Sequence, residues 1–484
     1  MSLVLVRLGW WDLLTGLPVI TDHPPLSFLL FKAWSLAFHS EWSMRLLPVL
    51  LGVCAVGGLM RVAGGIHPRA AVPTGLLAAV SPIPVHYSQE LRGYSLLFLL
   101  SVLSLLAAQR LAWRGPSRGR LAFLAVVSAA AAHTHAVGLF VFLMACVFLV
   151  AMRGRAELKA LLRPSGAWLW LLLVSPMLWF NLYWAAVHQQ TWWIPEHSWS
   201  RMQSYAQEFF GIMLVRHWED RQTPRPVWTA YVLQRLLIIG PAVLVMAALG
   251  CRRLRRPLLA LALAAGSYVG ALALVGAVSI PNMLPRTLLP AWAPVLVLLG
   301  LGGAGRLGRG GRVLPRAVLG LLVCLYGMSW LWYVHAGPPR RPPTRTLYGR
   351  ILTQLGPHDV VVSAYNCEDV TAYYLGGVVP GERLISKRGS RFSGLPARLQ
   401  VTPLKPDRHW QDRLRATLET AAEASGGRYN VWLIEYPLEV DPWPPVFSEV
   451  LSKQHRLAEE FVNEDVTMPR VARYVPRSMA EHEF

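Results

Sequence analysis

The chain has 484 residues, of which 54% are hydrophobic and only 15% charged, far below the roughly 25% charged residues of an ordinary soluble domain; a wholly water-soluble protein is excluded. A net charge of +20 could suit nucleic acid, but residues 1–338 hold 28 Lys/Arg against 9 Asp/Glu while residues 339–484 hold 19 against 18. The excess sits in short connectors between apolar blocks, where it marks loops retained in the cytosol and implies no nucleic-acid partner.

In chain order, Leu3–Leu14 and Leu26–Phe38 carry aromatics with a basic residue and are too short to span a bilayer. They read as interfacial helices. Crossings follow at 43–62, 70–85 and 93–111. The block 121–152 is too long for one helix and is divided at His133-Thr134-His135. Further crossings are expected at 167–187, 228–250, 258–280, 287–304 and 317–335, about ten in all. Five basic connectors fall between them, holding 18 Lys/Arg and a single acid, Glu157. Strict alternation puts all five on one side. It leaves Asp22, His23, Glu41, Glu90, Arg92, His135, residues 188–226, Arg286 and the whole tail on the outer face. The first crossing then runs inward, so Met1 to His39 begins outside, which leads to the expectation of a further transmembrane helix upstream of Met1.

After a Pro/Arg linker at Gly337–Thr344, His358–Ser363 and Asn430–Ile434 read as short buried strands, with helical sequence from Asp407 to Ala424 between them. This predicts a small α/β domain. The expected fold class is therefore mainly α, a polytopic helical membrane domain with a small C-terminal extracytoplasmic α/β domain. Its parts are 1–42 (an outer-face loop with interfacial helices), 43–336 (about ten transmembrane helices) and 337–484 (the soluble domain). The five cysteines show no paired spacing, and four lie in or beside apolar blocks, as small packing residues do.

Polar residues at the membrane surface are the informative ones, because holding them there is costly. Thr21-Asp22-His23-Pro24-Pro25-Leu26 would present Asp22 and His23 at a helix start fixed by proline, though as a bare turn the pattern is common. Ser81-Pro82-Ile83-Pro84-Val85-His86-Tyr87-Ser88-Gln89-Glu90-Leu91-Arg92-Gly93-Tyr94 follows one crossing and opens the next, with an acid, an arginine and two tyrosines close together. An arginine there can grip a phosphate bidentately beside a helix start, or simply pair with Glu90 at the surface or anchor to a lipid headgroup. Glu41 and Arg45, four apart, form a natural intrahelical ion pair. Arg286 opens another crossing, as a phosphate ligand or as an interfacial snorkel. Trp192, Trp193, Trp199 and Trp218 in the long outer loop are suited to the interface. His133 and His135 interrupt an alanine-rich block, and two histidines alone are weak evidence for a metal site.

In this order, Asp22-His23-Pro24-Pro25-Leu26, Ser40-Glu41-Trp42 with Arg45, Ser88-Gln89-Glu90-Leu91-Arg92 with Tyr94, His133-Thr134-His135 with Gly138, and Pro285-Arg286-Thr287-Leu288-Leu289-Pro290 resemble the bacterial family 39 glycosyltransferases. That group is related to protein O-mannosyltransferases and to the aminoarabinose transferases of lipid A. The resemblance spans most of residues 8–335. It implies a GT-C fold in the bacterial plasma membrane, with a polyprenyl-phosphate sugar as donor. The acceptor is a glycan, lipid or protein outside the cytoplasm, with inversion at the anomeric carbon. Residue by residue, it makes Arg92 the ligand of the donor phosphate, with Arg286 and Tyr94 beside it, and His23, Glu90 and His135 lining the pocket. A divalent metal is used by some relatives, with no ligand set legible here. The family pattern has an acidic pair ahead of the stretch matching Leu3–Leu14, which this sequence lacks, and Arg-Tyr where Arg286-Thr287 stands. Of the acids before the first crossing, Asp12 lies in an interfacial helix and Glu41 has Arg45, so Asp22 is the expected base. The other readings are a degenerate, inactive family member, a transporter, which would carry ionisable groups at mid-membrane depth, or a receptor.

Overall fold

The computed structural model describes residues 9–14 without 12, 23–154, 164–187, 239–278 without 250, 285–305 and 311–335. In the tail it describes 344–363, 384–386, 402–403, 410–435, 451–461 without 454 and 470–477, with a few single positions besides. By internal contacts the chain forms two compact units, Thr21–Ala336 and Gly337–Phe484 together with Met1–Ile20.

The first unit is a set of apolar helices: α1 (Leu26–Ser35), α2 (Glu41–Ile66), α3 (Ala71–Val80), α4 (Pro82–Tyr87), α5 (Tyr94–Arg114), α6 (Arg118–Ala132), α7 (Leu139–Arg153), α8 (Leu169–Val187), α9 (Ile239–Leu249), α10 (Arg255–Val278), α11 (Pro285–Gly303) and α12 (Val313–His335). Among the described residues, α2, α5, α10, most of α11, and α7 with the turn before it are long and apolar enough to cross a membrane. The chain is thus a multi-pass membrane protein.

Local sequence sets the helix starts. Ser40 and Ser43 form a reciprocal cap on α2, each backbone N–H donating to the other's hydroxyl at 3.1 Å, which satisfies donors that a helix start would otherwise leave open. The division of 121–152 at His133–His135 falls where the sequence predicts it. The single crossing expected over 70–85 is instead two short helices, α3 and α4. Ser81 is extended between them (ψ 124°) because proline at 82 disfavours a helical residue before it and readily opens the next helix. Trp292 of α11 donates to the Ser81 hydroxyl at 2.8 Å, pinning the break.

Two helices are central. In α5 and α11, 78% of the membrane-spanning window is buried, against 33–44% in α2, α7 and α10, so the latter keep the larger faces for lipid. At the basic end the helices are tied by side chains reaching backbone carbonyls. Gln109 donates to Val62 at 2.6 Å, Arg256 to Ala151 at 3.2 Å, Arg120 to Gly115 at 2.9 Å, and Arg153 to Ala112. Intramembrane hydroxyls such as Ser101, Ser104 and Ser128 return to carbonyls four residues back on their own helices, as they must where no water competes.

The second unit includes helical residues at Trp10, Trp11, Leu13 and Leu14, within the interfacial segment expected at Leu3–Leu14. Its α/β part comprises α13 (Thr344–Gln354), β1 (Val360–Ser363), β2 (Leu384–Ser386), β3 (Thr402–Pro403), α14 (Trp410–Ser425), β4 (Val431–Glu435), β5 (His455–Phe461) and β6 (Arg470–Pro476). The strands lie in the order β3-β2-β1-β4-β6-β5, parallel from β3 to β4 and antiparallel at β6 and β5. Successive residues face opposite sides. Val360, Val362, Val431 and Leu433 therefore pack with Leu414 and Leu418 of α14, and Val361, Trp432 and Ile434 with Tyr348 and Ile351 of α13. The buried carboxylate of Asp359 accepts from Gly356 N, Asn430 N and the Trp432 indole at 2.8–2.9 Å and from Asn430 Nδ2 at 3.2 Å. It joins the start of β1 to β4.

Candidate active site

Away from the basic end, the polar residues converge. α4 ends at His86 and Tyr87, and the Ser88–Gly93 loop leads into α5. His86 Nε2 lies 3.4 Å from Glu90 Oε1, one turn on. The Tyr87 and Tyr94 rings meet edge-on at 4.9 Å between centroids. Tyr94 in turn lies 5.8 Å from the His135 ring, and His135 lies 5.2 Å from the His23 ring. Three stretches distant in sequence thus contribute to one aromatic and imidazole chain, His86–Tyr87–Tyr94–His135–His23. Arg92 stands exposed at its edge and donates to the Tyr94 hydroxyl at 3.4 Å. It immediately precedes the N-terminus of α5, where the helix field favours an anion.

The backbone explains why these groups meet. Leu26 N–H, at the start of α1, donates to the His133 carbonyl at 3.0 Å. A Cβ at Gly93 would lie 2.9 Å from Ser27 Cβ and 3.0 Å from Thr134 Cγ2, so glycine there lets α1, the α5 start and the α6–α7 turn touch. The loop before α5 is held from outside as well. Arg45 donates to the Gln89 carbonyl at 2.8 Å and to Glu41 at 2.7 Å. The intrahelical pair read from the sequence is therefore present and has a second use. The two histidines of the α6–α7 turn diverge: the His133 ring reaches the Leu173 carbonyl at 2.8 Å, while His135 faces Tyr94 and His23.

Arg286 opens α11, half-buried, and its neighbour Thr287 is buried. A buried phenol from α10 connects this start to the His135 turn, since the Tyr268 hydroxyl lies 2.9 Å from the Thr287 carbonyl and 3.3 Å from that of Val137. Arg92 and Arg286 thus stand at the starts of the two central helices. Asp22, the residue expected as base, and residues 188–226 with their tryptophans lie outside the described residues. Among the described residues no three His, Cys, Asp or Glu side chains group as a metal site. Tyr268 and the Gly93 contact were not singled out from sequence, and His86 stood out there only as part of the Ser81–Tyr94 stretch. The only signal for Tyr268 was a phenol midway along an apolar span.

A multi-pass helical bundle with cations, imidazoles and phenols gathered at one end of its central helices, plus a small α/β domain, is the architecture of a GT-C-type membrane protein. The crystal structure of ArnT from Cupriavidus metallidurans in the apo state superposes with a TM-score of 0.56 at 15% identity, over 98% of this chain and 93% of that one. The structure of the same protein bound to undecaprenyl phosphate gives 0.57 at 14% identity, over 98% and 92%. These likenesses establish the fold. In sequence, the model of the dolichyl-phosphate-mannose-protein mannosyltransferase family matches residues 22–180, which include His23, Glu90, Arg92, Tyr94 and His135. No curated protein matches the chain in sequence.

Proposed function

We propose that the protein is a family 39-type glycosyltransferase that moves a hexosyl or pentosyl unit from a polyprenyl-phosphate donor to a hydroxyl on a glycan, lipid or protein acceptor outside the cytoplasm. The observation that carries this is the placement of Arg92 at the start of α5, beside the Tyr94–His135–His23 chain, in a hydrophobic bundle whose fold is that of a protein crystallised with undecaprenyl phosphate. In this reading the acceptor oxygen attacks the anomeric carbon from the face opposite the phosphate. Its proton passes to a carboxylate, Asp22 being the candidate, and the C–O bond to phosphate breaks with its electron pair left on the phosphate oxygen. Arg92 and Arg286, reinforced by the helix N-termini, stabilise the charge that grows there. The Tyr94 hydroxyl donates to the same group, and His23, Glu90 and His135 shape the sugar pocket. The basic connectors face the cytosol, and the site and the tail face the opposite compartment.

The test uses purified full-length protein in lipid, a set of radiolabelled polyprenyl-phosphate hexoses and pentoses, and acceptor hydroxyls of each class. Transfer is expected from one donor, and Arg92→Ala lowers it about 100-fold, or about 2.7 kcal/mol of transition-state stabilisation. A well-folded sample that transfers from none of them would end the proposal. Single cysteines at Ser88 and Ser117 test the orientation. The first should be labelled from outside intact cells and the second should not.

A further inference from the structure

We propose that Tyr268 is a positioning residue, whose buried hydroxyl fixes the turn bearing Arg286 against the turn bearing His135 and so sets the phosphate end of the site; this rests on the glycosyltransferase reading above. Tyr268 is fully buried on α10, with its ring edge-on to Phe140 at 6.2 Å. Packing alone would be served by phenylalanine, and burying a hydroxyl is unfavourable unless it is bonded. The hydroxyl is bonded, to two carbonyls that belong to neither its own helix nor each other's. Thr287 adjoins Arg286, and Val137 is two residues from His135. One phenolic proton is shared between them, favouring Thr287 at 2.9 Å over Val137 at 3.3 Å.

The first turn of α11 has a particular need for such a tether. Pro290 and Pro294 both lie inside this helix. Proline at 290 has no N–H to give the carbonyl of residue 286, and its ring crowds that carbonyl. The turn that aims Arg286 is therefore short of one internal hydrogen bond, and Tyr268 supplies a tie from the next helix. Its other partner is the turn whose His135 ring meets Tyr94 and His23. The hydroxyl thus couples the Arg286 and Arg92 halves of the site through backbone rather than through any contact with substrate.

The experiment compares wild type with Tyr268→Phe and Tyr326→Phe in the full chain. Tyr326 is also buried, but its hydroxyl has no hydrogen-bond partner among the described residues, so its removal controls for losing a buried oxygen. Tyr268→Phe should raise the KM for the polyprenyl-phosphate sugar about ten-fold with kcat within about three-fold. It should also speed hydrogen exchange in peptides spanning 136–141 and 286–292, with neither change in Tyr326→Phe. Unchanged exchange in both peptides would overturn the positioning role, as would a loss of kcat and melting temperature with no rise in KM. If wild type itself transfers no sugar, the exchange arm still decides the tether, and the failure counts against the glycosyltransferase reading alone.

Discussion

Replacing Gly93 by alanine should damage the site without touching any of its polar atoms. The new Cβ would sit 2.9 Å from Ser27 Cβ, 3.0 Å from Ser27 Oγ and 3.0 Å from Thr134 Cγ2. Comfortable separations are about 3.5–4.0 Å. Three contacts are thus short by roughly half an ångström to one ångström, and all three belong to backbone-anchored neighbours on α1 and the α6–α7 turn. Relief requires the α5 start to move off both, at a cost of about 1–3 kcal/mol of overpacking. The same movement pulls Tyr94 and Arg92, which flank residue 93, away from His135 and His23. A rate loss of about ten- to 100-fold is expected, equivalent to about 1.4–2.7 kcal/mol. Steady-state transfer assays and thermal melts of the full chain would measure both parts. Adding Ser27→Gly removes two of the three contacts and should restore much of the loss, a coupling that independent sites would not show. Gly93→Ala with wild-type activity and melting temperature would refute the packing argument.

Other consequences can be checked with the same protein. Arg45→Met should lower transfer several-fold with little change in melting, because it removes the hydrogen bond to the Gln89 carbonyl in the loop leading to Glu90 and Arg92; Glu41→Gln, which leaves that hydrogen bond in place, should have less effect. Asp359→Ala should unfold the α/β domain, since it orphans two backbone amides and the Trp432 indole at about 1–3 kcal/mol for each buried donor; proteolysis of the tail would report it. His455 is buried with neither ring nitrogen hydrogen-bonded among the described residues, and burial lowers its pKa from 6.5 to about 4. The unfolded chain therefore takes up the proton first as pH falls. The stability this group contributes is complete above pH 6.5 and is lost progressively down to about pH 4. Tail unfolding at pH 5 should cost about 1–2 kcal/mol less than at pH 7.5, after allowance for solvent screening, and His455→Phe should flatten that difference.

Much of this architecture is written in local patterns. Apolar blocks of bilayer length and arginines between them gave the helices, and the polar interruption at His133–His135 gave the α6–α7 break. What escaped was what depends on long-range packing. The 70–85 block has the length of one crossing, and only the Ser81-Pro82 pair marks the division that Trp292 of α11 then holds. In the tail, β1 and β4 have runs of buried β-branched and aromatic residues, whereas β2 and β3 have three and two residues, too few for any periodicity to register. Of the residues the structure brings together, Arg92, His135 and His23 could be picked out because charge and imidazole are conspicuous among apolar residues, and Tyr94 through the family resemblance. Tyr268 and Gly93 could not, because their roles exist only once α10 meets α11 and α1 meets α5.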